Sequence, residues 1–234
     1  MDEGRVIEVK REILSDNTKA ADAFRARLKD KRTLYVDVMA SPGAGKTTLL
    51  LALIKQFRED AKAAGEPEPG LGVIEADLES DVDAQKIKAA DVTSVELNTK
   101  GVCHVEMGMV ERSYAAFGDL ADGFDYLFLE NIGNLVCPAD FDTGAHTRVM
   151  LLSVPEGYDK VYKYPPMFGV VDALIVTKSD YLPLNPDFDM DALKRQAKVL
   201  NPNLQVFVTS ARTGEGVEEV VQFFRGKREA LLGK

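Results

Sequence analysis

A glycine-rich segment, residues 40–48, has the composition of a loop that binds phosphate groups. It reads A-S-P-G-A-G-K-T-T and lies between apolar runs at 34–39 and 49–54. In a strand–loop–helix unit of this kind, backbone N–H groups face the phosphates, the lysine reaches the β- and γ-phosphates, and the following hydroxyl ligates magnesium. The segment therefore predicts a nucleoside triphosphate site. Its predicted contacts are Gly43, Ala44, Gly45, Lys46, Thr47 and Thr48.

The first position of the usual pattern G-x-x-x-x-G-K-[ST] is Ala40 in this chain. A glycine is required only where φ is positive or where the backbone must approach a ligand closely. We therefore expect Ala40 to have a negative φ and the loop to keep its phosphate-binding shape.

The segment 177–180 points to guanine as the base. It reads T-K-S-D, follows the apolar run 173–176, and is similar to the N-K-x-D motif of GTPases. The two oxygens of Asp180 can accept hydrogen bonds from the N1–H and the exocyclic amine of guanine, whereas adenine has no such pair of donors. Lys178 is expected to lay its aliphatic stem along the base. The usual asparagine is Thr177, which leaves the contact with the N7 edge of the base open.

A second strand end supports the same base. The run 206–209 is followed by Ser210 and Ala211, a pair that GTPases use to offer a backbone N–H to the O6 atom of guanine. Each of these short motifs is weak alone, but their order after the phosphate-binding loop favours a GTP site.

Acidic residues at two other strand ends are candidates for sensing the γ-phosphate and magnesium. The apolar run 126–129 is followed by E-N-I-G, which looks like the D-x-x-G switch with Glu130 in place of aspartate. The N–H of Gly133 would contact the γ-phosphate, and Glu130 and Asp77 would lie near magnesium with Thr47. No glutamine or arginine finger is recognisable, so we expect slow intrinsic GTP hydrolysis. The catalytic candidates are Lys46, Thr47, Asp77 and Glu130.

Both cysteines of the chain and one of its two histidines lie next to the predicted nucleotide-sensing segments. Cys103 and His104 are adjacent, and Cys137 follows Gly133 by four residues. Thiolate and imidazole ligands suit zinc or nickel, and two copies of the chain could together supply four or more ligands. A Cys-His dipeptide cannot span a tetrahedral site alone, and a buried cysteine is more often part of a core. We interpret His146, which has no thiol or histidine near it in the sequence, as structural.

The order of the elements between these motifs predicts the fold. Short apolar or β-branched runs alternate with helical patterns, which is typical of an α/β P-loop NTPase with a mostly parallel sheet and helices on both faces. Ligands bind at the carboxyl ends of such strands. The predicted strands cover 71–76, 93–97, 124–130, 148–154, 171–177 and 204–209, and the predicted helices cover 81–90, 103–117, 189–200 and 215–232.

The composition limits the class of protein. The chain has 234 residues, of which 45% are hydrophobic, and a formal net charge of −9. This length fits one domain, 1–234, with an amphipathic helical segment at 1–30 packed outside the sheet. The acidic charge without basic clusters argues against nucleic acid, and no apolar run is long enough to span a membrane. With two cysteines and no signal-peptide pattern, we expect a cytoplasmic protein.

Taken together, these residues resemble the hydrogenase nickel-incorporation GTPases, the HypB family of the SIMIBI class of P-loop GTPases, over nearly the whole chain. The segments that carry the resemblance are 41–47 (S-P-G-A-G-K-T), 98–104 (N-T-K-G-V-C-H), 130–139 (E-N-I-G-N-L-V-C-P-A), 156–160 (E-G-Y-D-K) and 163–165 (K-Y-P). This sequence lacks the cysteine-rich amino-terminal motif and the histidine-rich stretch of some members, so the resemblance does not imply high-affinity nickel storage.

The resemblance implies a GTPase that forms a homodimer with GTP. It implies nickel delivery to the large subunit of nickel-iron hydrogenase, together with a small nickel-binding accessory protein. It also implies a zinc or nickel site formed by Cys103, His104 and Cys137 at the dimer interface, and Lys163 reaching into the partner's nucleotide site. The implied cofactors are GTP, Mg²⁺ and Ni²⁺ or Zn²⁺.

Three other functions remain open at this point. The related urease nickel-delivery GTPases share the phosphate-binding loop and the use of a metal, but this chain lacks their Cys-Pro-His triplet, since Cys137 and Pro138 are followed by Ala139. A nucleotide-gated metal-binding scaffold with negligible turnover would have the same motifs. A P-loop kinase is less favoured, because no acceptor-activating base is recognisable and a kinase does not need the guanine motif.

Overall fold

The computed structural model describes residues 3–77 and 87–234, with side chains described at 16–77 and 87–234. Seven strands in these ranges form one sheet, in which every neighbouring pair is parallel. The strands are β1 (Leu34–Ala40), β2 (Leu71–Asp77), β3 (Thr93–Asn98), β4 (Tyr126–Gly133), β5 (Thr147–Ser153), β6 (Ala173–Thr177) and β7 (Gln205–Val208). Their order is β3-β2-β4-β1-β5-β6-β7, so the phosphate-binding loop leaves the central strand. The predicted parallel α/β fold is confirmed.

Helices connect these strands. Those with both ends described are α1 (Glu3–Asp30), α2 (Lys46–Ala64), α3 (Met107–Ala115), α4 (Lys160–Lys163), α5 (Pro165–Val170), α6 (Met190–Leu200) and α7 (Val217–Leu231). Short 3₁₀ turns lie at Gly118–Gly123, Cys137–Ala139, Val154–Glu156 and Ser179–Leu184. None of the described helices has the length and apolar character needed to cross a bilayer.

The sheet separates apolar cores on its two faces, because successive residues of a strand point in opposite directions. On the front face, strand residues such as Val36 and Phe128 pack against α2 and α7. On the back face, their neighbours Tyr35 and Leu129 pack against α1 and α3, while Met150 packs against α5 and α6. Helices therefore cover both faces of the sheet, as predicted.

Helix α1 matches the amphipathic segment predicted at the amino terminus. Its side chains Ala21, Phe24 and Leu28 are at most 1% exposed and belong to the back-face core. The ring of Phe24 lies edge-on to the rings of Tyr35 and Tyr114. The described part of α1 is therefore packed on the sheet; the predicted apolar positions before residue 16 lie outside the described side chains.

The structure corrects the prediction of a helix at 103–117. The helix begins only at Met107, because Lys100 and Gly101 have positive φ values of 52° and 86° and turn the chain before it. Cys103 and His104 therefore lie in a loop. Strand β4 continues to residue 133, three residues past its predicted end, and the predicted helix 81–90 falls largely outside the described residues.

Candidate nucleotide and metal sites

The phosphate-binding loop has the backbone shape that its glycines predict. Gly43 and Gly45 have φ values of 75° and 95°, a region that other residues rarely adopt. In the described part of the chain, the first turn of α2 has neither a side-chain cap nor an acidic residue. Its N–H groups and the helix dipole are therefore available to an anion. Ala40 is buried and does not have a positive φ, as expected for an alanine at this position.

The predicted phosphate and base motifs surround one cavity. Its walls come from the start of α2, the end of β6 and the segment after β7, namely Ala44, Gly45, Thr48, Leu49, Thr177, Lys178, Asp180, Tyr181, Thr209, Ser210, Ala211 and Arg212. The Thr177 hydroxyl donates to the carbonyl of Ala44 at 2.7 Å. The Lys178 ammonium donates to the carbonyl of Gly43 at 2.7 Å. These two bonds fasten the T-K-S-D segment to the phosphate-binding loop.

The carboxylate of Asp180 is positioned by the neighbouring strand end. Ser210 donates its hydroxyl proton to Asp180 Oδ1 at 2.8 Å. A carboxylate accepts several hydrogen bonds, so capacity remains for the two donors of a guanine base. The sequence reasoning missed Tyr181 and Arg212, which also line the cavity. Tyr181 directly follows Asp180, and Arg212 directly follows Ala211. Their positions beside these motif residues could have identified them as candidates for lining the cavity.

The hydroxyl and the acid predicted to lie near magnesium contact each other. Thr47 Oγ1 donates to Glu130 Oε1 at 2.7 Å, and both residues are buried. Glu75, which the sequence analysis did not assign, is the register partner of Glu130 on β2 and is also buried. Asp77 ends β2 two residues later, on the same face of the sheet. An oxygen-rich set of this kind suits magnesium.

Gly133 lies against the phosphate-binding loop. A Cβ atom at this position would be 2.9 Å from the Pro42 nitrogen, so only glycine fits without displacing the loop. The switch segment and the loop are thus in direct contact. Lys163 is not among the residues that line the cavity; its ammonium forms an ion pair with Asp159, which raises the pKa of Lys163 and lowers that of Asp159.

The structure brings the three predicted zinc or nickel ligands together. Cys103 Sγ lies 3.0 Å from Cys137 Sγ and 3.9 Å from His104 Nδ1. Two thiolates on one tetrahedral zinc ion are about 3.8 Å apart, since each Zn–S bond is about 2.3 Å. In the described part of the chain, no three His, Cys, Asp or Glu side chains are already arranged to hold one metal ion, so the thiol pair and His104 would have to move to share a metal. Asn134 donates from Nδ2 to the carbonyl of Cys103 at 2.9 Å, which joins the two loops.

Cys103 and Cys137 form no disulfide with each other, although their sulfur atoms are 3.0 Å apart. The hydrogen bond with Cys137 and, to a smaller extent, burial both raise the pKa of the Cys103 thiol. Binding of a metal to this pair would therefore release protons.

A buried polar network connects the switch to the loop that carries Cys137. Asn131 donates to Asp37 Oδ1 at 3.0 Å, and Thr143 donates to Asp37 Oδ2 at 2.7 Å. Burial raises the pKa of Asp37, while the charge of Arg148 opposes this shift. Arg148 in turn donates to the carbonyl of Pro138 at 2.6 Å. Asp37 is therefore the centre of a network that spans β1, β4, β5 and the cysteine loop.

The predicted structural role of His146 agrees with its contacts. His146 Nδ1 accepts from the Tyr35 N–H at 3.0 Å, and Nε2 lies 2.9 Å from the carbonyl of Arg25. Both ring nitrogens thus join β1 to α1.

Comparison with known proteins places this geometry in a family. A family model described as CobW/HypB/UreG, nucleotide-binding domain, matches residues 35–208. The hydrogenase maturation factor HypB of Azotobacter chroococcum mcd 1 is 39% identical over 232 residues, which are 99% of this chain and 72% of that protein. The chain belongs to the HypB family.

Further similarities agree with membership of the HypB family. The hydrogenase/urease maturation factor HypB of Helicobacter hepaticus is 37% identical over 95% of this chain and 88% of its own length. The crystal structure of HypB from Helicobacter pylori in complex with nickel has a TM-score of 0.84 and 32% identity, covering 92% of this chain and 96% of that chain. The resemblance predicted from the motifs is confirmed, and the HypB fold is that of a P-loop nucleotide-binding domain.

Proposed function

We propose that this chain is a GTP-binding and GTP-hydrolysing nickel metallochaperone that assists nickel insertion into nickel-iron hydrogenase. The observation that carries the proposal is the position of the thiol pair. Cys137 follows the switch residue Gly133 by four residues, and its sulfur lies 3.0 Å from that of Cys103. Two comparisons support nickel as the cargo: a relative was crystallised in complex with nickel, and others are named hydrogenase maturation factors.

GTP is the nucleotide that the cavity favours. Asp180, held by Ser210, presents a carboxylate to the base, and Lys46 begins the helix that faces the phosphates. Thr47 and Glu130 are placed to hold Mg²⁺, which supplies charge neutralisation at the phosphates when bound. The sequence offers no glutamine or arginine finger near the switch, so we propose that intrinsic hydrolysis is slow.

Strand β4 supports coupling between nucleotide and metal. Glu130 points to the front face, where it accepts from Thr47. The next residue, Asn131, points to the back face and donates to Asp37. Contact of the γ-phosphate with Gly133 would move the end of β4, and the Asp37 network would transmit this movement to the loop of Cys137.

We propose further that GTP closes a homodimer in which two copies share the metal site. One chain supplies three donors at this place, whereas zinc takes four ligands. Cys103 is exposed, and Val136, next to Cys137, is 60% exposed, so the site lies at the surface. In the closed dimer, the Lys163 ammonium would leave Asp159 and contact the nucleotide bound to the partner subunit.

The proposed partners are a small nickel-binding accessory protein and the hydrogenase large subunit, in the cytoplasm, without nucleic acid or membrane. Urease is a second candidate target, because the Helicobacter hepaticus relative is named a hydrogenase/urease maturation factor. Nickel transfer to each purified apo-enzyme distinguishes the two targets. Phosphate release measured in the same reactions separates a GTPase from a nucleotide-gated scaffold.

Nickel titration of the wild type and of Cys137→Ala, with the dimer fraction measured in parallel, tests the metal site. Val199→Ala is a control, since this exposed residue on α6 is remote in sequence from the metal loops. We expect nickel binding by the wild type and the control, and its loss in Cys137→Ala. Equal binding by all three proteins would remove the thiol pair from the proposed function.

A further inference from the structure

The His104 imidazole is held on two sides by residues outside the predicted ligand set. Its ring stacks on Phe141, with the centroids 3.7 Å apart and the planes inclined by 19°. Its Nε2 atom lies 3.1 Å from Glu106 Oε1, and its Nδ1 atom faces Cys103 Sγ. In a neutral imidazole only one nitrogen carries a proton, and donation to a carboxylate fixes which one. The Glu106 contact therefore leaves the lone pair on Nδ1, beside the thiols.

We propose that Glu106 and Asn17 are positioning residues of the metal site. Glu106 orients the imidazole so that Nδ1 is the metal-binding nitrogen, and Asn17 of helix α1 holds the two ligand-bearing loops together. This inference rests on the metal site proposed above. It gives the amino-terminal helix a role beyond covering the sheet.

Asn17 joins segments that are far apart in the sequence. Its Oδ1 accepts from the Met107 N–H at 3.1 Å, and its Nδ2 donates to the carbonyl of Asp142 at 2.8 Å. Met107 follows the Cys103–His104 loop, and Asp142 follows Cys137 by five residues. One side chain thus connects both loops through their backbones.

The Glu106 side chain contacts His104 and is not used as a helix cap, although Glu106 is the N-cap residue of α3. The first amide of the helix, Met107 N–H, donates to Asn17 of α1. Glu106 thus contacts the imidazole at the same helix terminus that α1 holds in place.

Helix α1 is fixed firmly enough to serve as this support. Arg25 donates from one nitrogen to both carboxylate oxygens of Asp142, each at 2.8 Å, and its Nε donates to the carbonyl of Ala145 at 3.1 Å. A Cβ atom at Gly144 would lie 3.1 Å from the carbonyl oxygen of Ala21, so the helix and this loop are in close contact. None of these anchoring contacts involves the proposed metal ligands Cys103, His104 and Cys137.

The first test needs no metal. Histidine ¹⁵N spectra of the metal-free protein, recorded where His104 is neutral, report which nitrogen carries the proton. We expect the Nε2–H form in the wild type and a mixture of both forms in Glu106→Ala, with Asp119→Ala as a control at an exposed acidic position. A wild type in the Nδ1–H form, or identical spectra in Glu106→Ala, would overturn the role of Glu106.

The second test measures metal affinity by competition with a chelator, together with the Co²⁺ absorption spectrum. We expect about a 10- to 100-fold loss of affinity in Glu106→Ala, the usual effect of removing such an outer partner. Asn17→Ala should also lose affinity and shift the Co²⁺ bands, and Asn17→Asp, which keeps the acceptor for Met107 N–H, should recover part of both. Asp16→Ala is the control, because its side chain is 81% exposed on the same helix.

The outcomes separate this inference from the proposed function. Unchanged affinity and spectrum in Asn17→Ala would overturn the role of α1. If Cys137→Ala binds metal as the wild type does, the proposed metal site fails, and the inference about metal ligation fails with it. If Cys137→Ala loses the metal while Glu106→Ala and Asn17→Ala keep it unchanged, only the inference fails.

Discussion

Replacing Gly133 with alanine should weaken nucleotide binding, because this glycine is packed against the phosphate-binding loop. A Cβ atom at Gly133 would lie 2.9 Å from both Cγ and N of Pro42 and 3.0 Å from its Cα. Atoms of this kind are ordinarily about 3.5 Å apart or more, so the loop or the switch must move by about 0.5 Å. Overpacking of a close-packed site typically costs about 1–3 kcal/mol. If binding bears this whole cost, nucleotide affinity falls by about 5- to 150-fold.

Titration with fluorescent GDP and with a non-hydrolysable GTP analogue measures this effect, alongside urea unfolding. If the loop moves, both nucleotides bind more weakly; if the switch moves, only the GTP analogue does. Gly123→Ala is the matched control, since no atom within 4 Å would meet its Cβ. Affinities within about twofold of the wild type for both nucleotides, with an unchanged free energy of unfolding, would refute the argument from packing.

Three further predictions concern base recognition, pH and helix stability. Asp180→Asn should lower GTP affinity by about 10- to 150-fold, since hydrogen bonds to a charged group contribute about 1.5–3 kcal/mol; nucleotide titration checks this, and unchanged affinity would exclude Asp180 from the base site. Burial lowers the pKa of His146 below its ordinary 6.5, so the unfolded state binds more protons and the free energy of unfolding should fall as pH drops below 6.5. Urea titrations of the wild type and His146→Gln at several pH values measure this, and the same pH dependence in both proteins would contradict it. Gly226→Ala should raise the free energy of unfolding by about 0.5–1 kcal/mol, because this exposed helical glycine has open space around its Cβ; urea unfolding showing a loss would contradict that assignment.

Local sequence patterns were sufficient for the sheet and for the parts of the nucleotide site. The glycines of the phosphate-binding loop have the positive φ values that their positions require, and Asp180 and Ser210 line one cavity because parallel strands end at the same edge. The role of Thr177 was left open by the sequence. The structure shows its hydroxyl bound to the carbonyl of Ala44, where it supports the loop.

Contacts between distant segments could not be derived in the same way. Asn17 is 90 residues from Met107 and 125 residues from Asp142, and no periodic pattern links such positions. Glu75 was overlooked because a buried acid within an apolar strand has no motif of its own. The turn at Lys100 and Gly101, which places Cys103 in a loop, depends on backbone angles that the helical pattern alone does not reveal.

The most direct test of the central claim is the nickel affinity of the wild-type protein with GDP and with a non-hydrolysable GTP analogue, under otherwise identical conditions. Coupling through β4 and the Asp37 network predicts that the two affinities differ by about 5-fold or more, the lower end of the usual range for linked sites. Equal affinities would contradict the coupling of the metal site to the nucleotide switch.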